Sequence, residues 1–183
     1  DNKYIVASNP SNGVVDIYDG AILRHTFSQS NSEFASSITT HDEWLIVGAP
    51  GYSQSGAVFV YRSISNGPSH YVTTIQILTL GDDVSGCGRE VIFSDDGKYF
   101  FTTCESEHIM VGTILSNGQS WKIIRTVTNG GNQQGIGRSI STNGNYLVVG
   151  NKGSVSIYDI TNYIINQKTW TQYIGYFIKI PIT

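Results

Sequence analysis

Four residues of this chain have types and positions suited to chemistry. Cys87 and Cys104 are its only cysteines and could bond to each other. Arg89 and Arg138 recur at one place in two similar segments, Cys87-Gly-Arg-Glu90 and Ile136-Gly-Arg-Ser139. A guanidinium offers a planar fork of donors suited to a carboxylate or phosphate, so two of them could hold an anion. The bland reading is that each arginine pairs with Glu90 or with backbone carbonyls. The histidines, His25, His41, His70 and His108, are scattered without a metal-ligand spacing and read as surface residues. No Gly-x-Ser-x-Gly nucleophile elbow is present. Gly135-Ile-Gly137-Arg138 precedes a strand pattern, so it is not a phosphate loop. The acidic pairs Asp82-Asp83 and Asp95-Asp96 read as solvated loop residues. On this reading the chain has no catalytic residue, metal or cofactor and is not an enzyme.

These residues sit in a repeat. Tyr4-Ile-Val-Ala, Trp44-Leu-Ile-Val, Tyr99-Phe-Phe-Thr and Tyr146-Leu-Val-Val align in one column, each after a polar turn. About ten residues later comes a second apolar run: Gly13 to Tyr18, Gly56 to Tyr61 and Gly153 to Tyr158, with a degenerate copy at His108–Ile114. The runs are short, rich in Val, Ile, Tyr and Phe, and bounded by Gly, Asn, Asp and Ser, which predicts strands. No window carries the i, i+3, i+4 stripe of a helix. In the fullest unit the four strands are A (Phe34–Thr40), B (Glu43–Gly48), C (Ala57–Arg62) and D (Tyr71–Leu80).

Four antiparallel strands recurring at this period predict an all-β fold, a β-propeller of four-stranded antiparallel blades. One such sheet has two apolar faces and buries them only against its neighbours. The units are 1–32, 33–86, 87–134 and 135–175, with Lys168–Tyr173 as the last D strand. The first unit lacks an A strand, and a spare one, Tyr176–Ile182, ends the chain. Pairing 176–182 with Tyr4–Ser8 would close a ring of four blades, and we favour it over the alternative, a fragment of a seven-bladed propeller.

Each A–B pair is read as a hairpin. Folding the third one about a centre between Asp95 and Asp96 puts Cys87 opposite Cys104, at a spacing compatible with a disulfide. A reduced pair, or two thiols packing as small apolar groups, are the other readings. The same rule sets Phe34 opposite Ala49 and Ile136 opposite Asn151.

Phe34-Ala-Ser-Ser-Ile, Leu45-Ile-Val-Gly-Ala-Pro-Gly and Gly56-Ala-Val-Phe-Val-Tyr together resemble an FG-GAP repeat, the blade unit of integrin-alpha-like propellers. The "FG" place holds Phe34-Ala35, Cys87-Gly88 and Ile136-Gly137. The "GAP" is intact only at Gly48-Ala49-Pro50. The resemblance implies calcium sites in long A–B loops, but the loops here are tight turns, too short to wrap an ion that needs 6–8 oxygens.

Charged residues make up 14% of the 183 residues and the net charge is −3. No basic footprint argues for nucleic acid, and no apolar run is long enough for a membrane span. The first residue is Asp, and no signal peptide is visible, which suggests a processed chain or one cut from a longer protein. The functional expectation is a non-enzymatic interaction or structural module, with a protein partner or self-association. Its B–C loops would form the binding rim, with Tyr52 and Gln54 as contact residues. The alternatives are a self-assembling shell or filament subunit, and a carbohydrate-active propeller working at its channel, to which the A strands contribute one carboxylate, Glu90. The compartment is open, with an extracellular or particle-surface setting favoured.

Overall fold

The computed structural model describes residues 4–30, 32–64, 71–79, 84–105, 108–115, 118–128, 136–151, 154–160 and 180–181. They form four antiparallel sheets. The first holds β1 (Tyr4–Asn9), β2 (Val14–Asp19) and β3 (Ile22–Ser28). The second holds β4 (Ser37–His41), β5 (Trp44–Ala49), β6 (Ala57–Ile64) and β7 (Tyr71–Thr79). The third holds β8 (Val91–Phe93), β9 (Tyr99–Thr103), β10 (His108–Ile114) and β11 (Trp121–Thr128). The fourth holds β12 (Ile136–Thr142), β13 (Tyr146–Asn151), β14 (Ser154–Asp159) and β15 (Ile180–Pro181). Strands follow chain order within each sheet. Among the described residues there is no α-helix, and no helix long and apolar enough to cross a membrane.

The apolar pattern explains the stacking. Every residue of β5 is buried. Side chains alternate across a strand, so Leu45 and Val47 face the first sheet, where they meet Val15, Ile17 and Phe27. Trp44 and Ile46 face the third, where they meet Phe93, Phe100 and Trp121. An unbroken apolar run is therefore a strand covered on both faces. A further seam joins the third and fourth sheets through Phe101, Ile109 and Val111 on one side and Leu147 and Val149 on the other. Trp121 is wholly buried and anchors the middle seam. Its ring meets Trp44 edge-on at 5.6 Å and Phe100 at 5.5 Å, and its backbone N–H donates to Gln76 Oε1 at 2.8 Å. The sheets are thus propeller blades joined by three apolar seams.

One expectation about the chain end is corrected. Ile180 and Pro181 pair with Val155 and Ser154 of β14, so they extend the fourth sheet rather than the first. They cover what would otherwise be the open outer edge of β14, a place that tolerates a proline. Among the described residues β1 pairs only with β2, and the first sheet has three strands. Among the described residues closure of the ring on Tyr4–Ser8 is not shown. Residues 168–173, expected as the last D strand, lie outside the described residues.

The A strands start later than their composition suggests. In the third sheet Phe93 pairs with Phe100 and Val91 with Thr102. The hairpin therefore centres between Asp96 and Gly97, one residue later than expected. Continued unchanged, that register would part the cysteines. Instead Gly88 N and Arg89 N both donate to Thr103 O, at 3.2 and 3.3 Å, while Thr103 N donates to Glu90 O at 3.1 Å. Gly88 and Arg89 are extra residues in a bulge, and Cys87 returns to Cys104, to which it is disulfide-bonded. The fourth sheet repeats the device: Ile136 pairs with Asn151 and Ser139 with Gly150, leaving Gly137 and Arg138 over. In the second sheet the corresponding pair is Ala35-Ser36, and Ala35 has φ +70°.

Gly88 has φ +98°, and its carbonyl lies against the neighbouring blade. It accepts the Ser37 hydroxyl at 3.1 Å. A Cβ on Gly48 would fall 1.8 Å from the Gly88 oxygen, and one on Gly88 would fall 2.4 Å from Ala57 O. Only two glycines allow this approach. Gly88→Ala combines left-handed strain of about 1–2 kcal/mol with overpacking of about 1–3 kcal/mol. We expect it to lower stability in urea unfolding by about 2–5 kcal/mol.

Candidate functional site

The first strands of three successive sheets, β4, β8 and β12, run side by side. They form the inner edge of the array, and each has a turn end and a bulge end. Three hydrogen bonds cross between β4 and β8 or their flanks. Ser37 Oγ donates to Gly88 O at the bulge end. Phe93 N donates to Thr39 Oγ1, at 3.4 Å, in the middle. His41 Nε2 lies 3.1 Å from Asp95 O at the turn end.

The turn end is rich in charge, but its charges are satisfied among themselves. His41 Nδ1 sits 3.3 Å from Asp42 Oδ2, and its ring fills the space a Cβ on Gly97 would need. Asp96 accepts from Ser94 Oγ at 2.7 Å and Lys98 N at 3.1 Å, and its other oxygen meets the Lys98 ammonium at 3.1 Å. Burial alone would raise the Asp96 carboxyl, but the Ser94 and Lys98 contacts outweigh it and hold the group below its ordinary value.

The bulge end is different. Bulges re-aim side chains, and they concentrate beside sites. Here the bulge sets Arg89 and Glu90 next to each other just before the inner strand. Arg89 Nη1 donates to Glu105 Oε1 at 2.6 Å, with both side chains about half exposed. Such a pair contributes at most about 1 kcal/mol to stability, and its geometry matters more than its energy. Glu90 is half-buried, and burial pushes its carboxyl above the ordinary value, with the Arg89 charge pulling partly back. Among the described residues nothing donates a hydrogen bond to the Glu90 carboxylate. A desolvated carboxylate with a cation beside it has the features of a general base.

Of the residues singled out by sequence, Arg89 is in this place, though it pairs with Glu105 rather than Glu90. Arg138 occupies the matching bulge of β12 by its backbone, and its side chain lies outside the described residues. Tyr52 is not an exposed anchor. Its ring stands edge-on to Phe59 at 5.2 Å and packs on the core of its own blade. Gln54 is exposed in the same loop. Glu105 was not singled out. Its signal was adjacency: it follows Cys104 directly, so placing Cys104 opposite Cys87 also brings Glu105 near Arg89.

No family model and no curated protein matches the chain, so the FG-GAP resemblance stands on its own residues. Solved structures do match. A protein from Lactobacillus plantarum is 18% identical with a TM-score of 0.71, the match covering 98% of this chain and 53% of that one. A proposed 6-phosphogluconolactonase from Bacteroides uniformis is 15% identical with a TM-score of 0.68, covering 98% and 54%. The periplasmic gluconolactonase of Pseudomonas aeruginosa is 20% identical with a TM-score of 0.64, covering 86% and 50%. This chain therefore spans about half the length of the structures it matches, and what it shares with them is the β-propeller fold. The expectation of a non-enzymatic module, with its shell or filament alternative, is corrected by this finding, because the named neighbours are enzymes of lactone hydrolysis.

The two perturbed carboxyls have opposite signs. Raised in the fold, Glu90 contributes stability that is present below its unfolded pKa and lost as pH rises through the folded one. Lowered in the fold, Asp96 contributes stability that is present above its unfolded pKa and lost as pH falls through the folded one. Urea unfolding of Glu90→Gln should therefore show a gain at pH 7 that vanishes at pH 3. Asp96→Asn should show a loss at pH 7 of up to about 1 kcal/mol that shrinks at pH 3.

Proposed function

We propose that this chain supplies the blades of a sugar-lactone hydrolase whose reaction is centred on the bulge end of the inner strands. The observation that carries the reading is the desolvated Glu90 beside the Arg89 guanidinium on the inner edge of a propeller. The lactonase names among its structural neighbours support the substrate class.

The chemistry follows from the two groups. Glu90, as its carboxylate, accepts a proton from a water as that water's oxygen attacks the lactone carbonyl carbon. The carbonyl oxygen becomes a tetrahedral oxyanion, and a guanidinium at Arg89 supplies charge-assisted donors to it. The intermediate collapses by breaking the ring C–O bond. The ring oxygen takes up the proton held on Glu90 and leaves as a hydroxyl. The sum is lactone plus water giving a hydroxy acid, which ionises to the carboxylate. The partial burial of Glu90 suits this role, because a base is most effective when its pKa lies nearer the working pH. Arg138, at the same place one blade on, is the second residue we assign to holding the substrate.

Titrimetric assay of glucono-δ-lactone hydrolysis tests the reading. The protein should exceed the uncatalysed rate. Glu90→Gln should lower kcat by about 10²–10⁴-fold, the usual contribution of a general base. The acid limb of kcat/KM should lie above the ordinary carboxylate range. Hydrolysis no faster than the background in the folded protein would sink the proposal.

A further inference from the structure

We infer that the Cys87–Cys104 disulfide is a positioning link for the base: it clamps the bulge that carries Arg89 and Glu90 to the strand end that carries Glu105. The inference rests on the reading of Glu90 as the base.

The need for a clamp follows from the strands. β8 has three residues, against five in β4 and seven in β12. The regular ladder ends at Val91, so the stretch before it is held by the bulge's own contacts rather than by strand pairs. That stretch includes both residues we assign to chemistry. In the other two blades the places of Cys87 and Cys104 are filled without a covalent bond, by Phe34 and Ala49 and by Ile136 and Asn151.

The disulfide sits where it acts on both partners at once. Cys87 is two residues before Arg89, and Cys104 is one before Glu105, so the bond and the ion pair lie on either side of the bulge. Both cysteines are wholly buried, with Val84 and Met110. Each is also tied to the backbone around it. Cys87 N donates to Ser55 O, and Cys104 N donates to His108 O, both at 2.9 Å. Beyond the bond, Glu105 N donates to Ser85 O at 2.9 Å, and the stem of Glu105 fills the space beside Gly86. The Glu105 carboxylate is thus fixed from two directions and in turn holds the Arg89 guanidinium. Without the bond only hydrogen bonds, including those of the Ser37 and Thr102 hydroxyls to Gly88, and the exposed ion pair keep the bulge in shape. Water would reach Glu90, and Arg89 could turn onto it.

Both changes would move the Glu90 carboxyl towards its ordinary behaviour, which gives a readout that does not need catalysis. The experiment is a carbon-13 NMR titration of Glu90 in the disulfide-bonded protein and in two folded variants, C87A/C104A and C87A/C104V. The second refills part of the lost volume. The wild type should titrate above the free carboxylate value of about 4.3, and both variants at or below it. In parallel, glucono-δ-lactone hydrolysis by the variants should lose at least about tenfold in kcat with KM within about twofold, since positioning acts mainly on the transition state, and its acid limb should move to lower pH. An unchanged Glu90 midpoint in either folded variant would overturn the inference. So would failure of both variants to fold, which would make the bond a requirement of the fold rather than of the site. If the wild type does not hydrolyse the lactone, the proposed function fails, while the titration still decides the link.

Discussion

The structure depends on one close backbone contact. The carbonyl of Gly88 lies directly over Gly48 of the neighbouring blade and accepts the Ser37 hydroxyl. Everything on the inner edge of the second and third blades follows from that approach. It requires a residue with positive φ at position 88 and no side chain at position 48. It places the extra pair Gly88-Arg89 where the ladder must bulge, and so fixes where Glu90 begins the inner strand. The apolar seams are far larger in energy, at about 1.5–3 kcal/mol for each fully buried aliphatic or Phe side chain. They hold the blades together, but a seam of Val, Ile and Phe tolerates repacking. The glycine contact does not, and it sets the register of one blade on the next.

The division of labour follows. The turn end carries more charge than the bulge end, yet its groups are spent on one another: Asp96 on Ser94 and Lys98, His41 on Asp42 and the Asp95 carbonyl. At the bulge end Arg89 is held by a single exposed partner, and Glu90 is partly dehydrated. A carboxylate kept this way costs stability at neutral pH, and such a cost is more typical of sites than of scaffolds.

Much of the fold was legible because the rules that govern it are local. Strands B and C of the second unit were readable from Trp44-Leu-Ile-Val and Gly56-Ala-Val-Phe-Val-Tyr, where apolar patterning and β-branching decide the outcome. The inner strands were harder. Phe34-Ala-Ser-Ser-Ile looks extended throughout, yet Ala35 adopts φ +70° and β4 starts only at Ser37. A bulge leaves no mark in polarity, so the expected register was off within β8 and β9 and came right again at the cysteines only because the bulge adds two residues. The likeness of Ile174-Gly175 to Ile136-Gly137 pointed the chain end to the first sheet, but Ile180 and Pro181 pair with β14, since pairing of a terminal strand depends on which edge lies open. The site was half legible. Arg89 and Glu90 stood out by position, but Glu105 enters through tertiary packing, and an exposed look misassigned Tyr52, whose ring lies on Phe59.

The central claim is that the glycine-seated bulge turns the inner edge of a propeller into an acid–base site. A crystal structure of the protein grown with gluconate, the hydrolysis product, tests it most directly. The account predicts the gluconate carboxylate within hydrogen-bond reach of the Arg89 guanidinium and beside Glu90, at the bulge end of β8. Gluconate bound instead at the turn end by Asp96 and His41, or not bound to the inner strands at all, would contradict it.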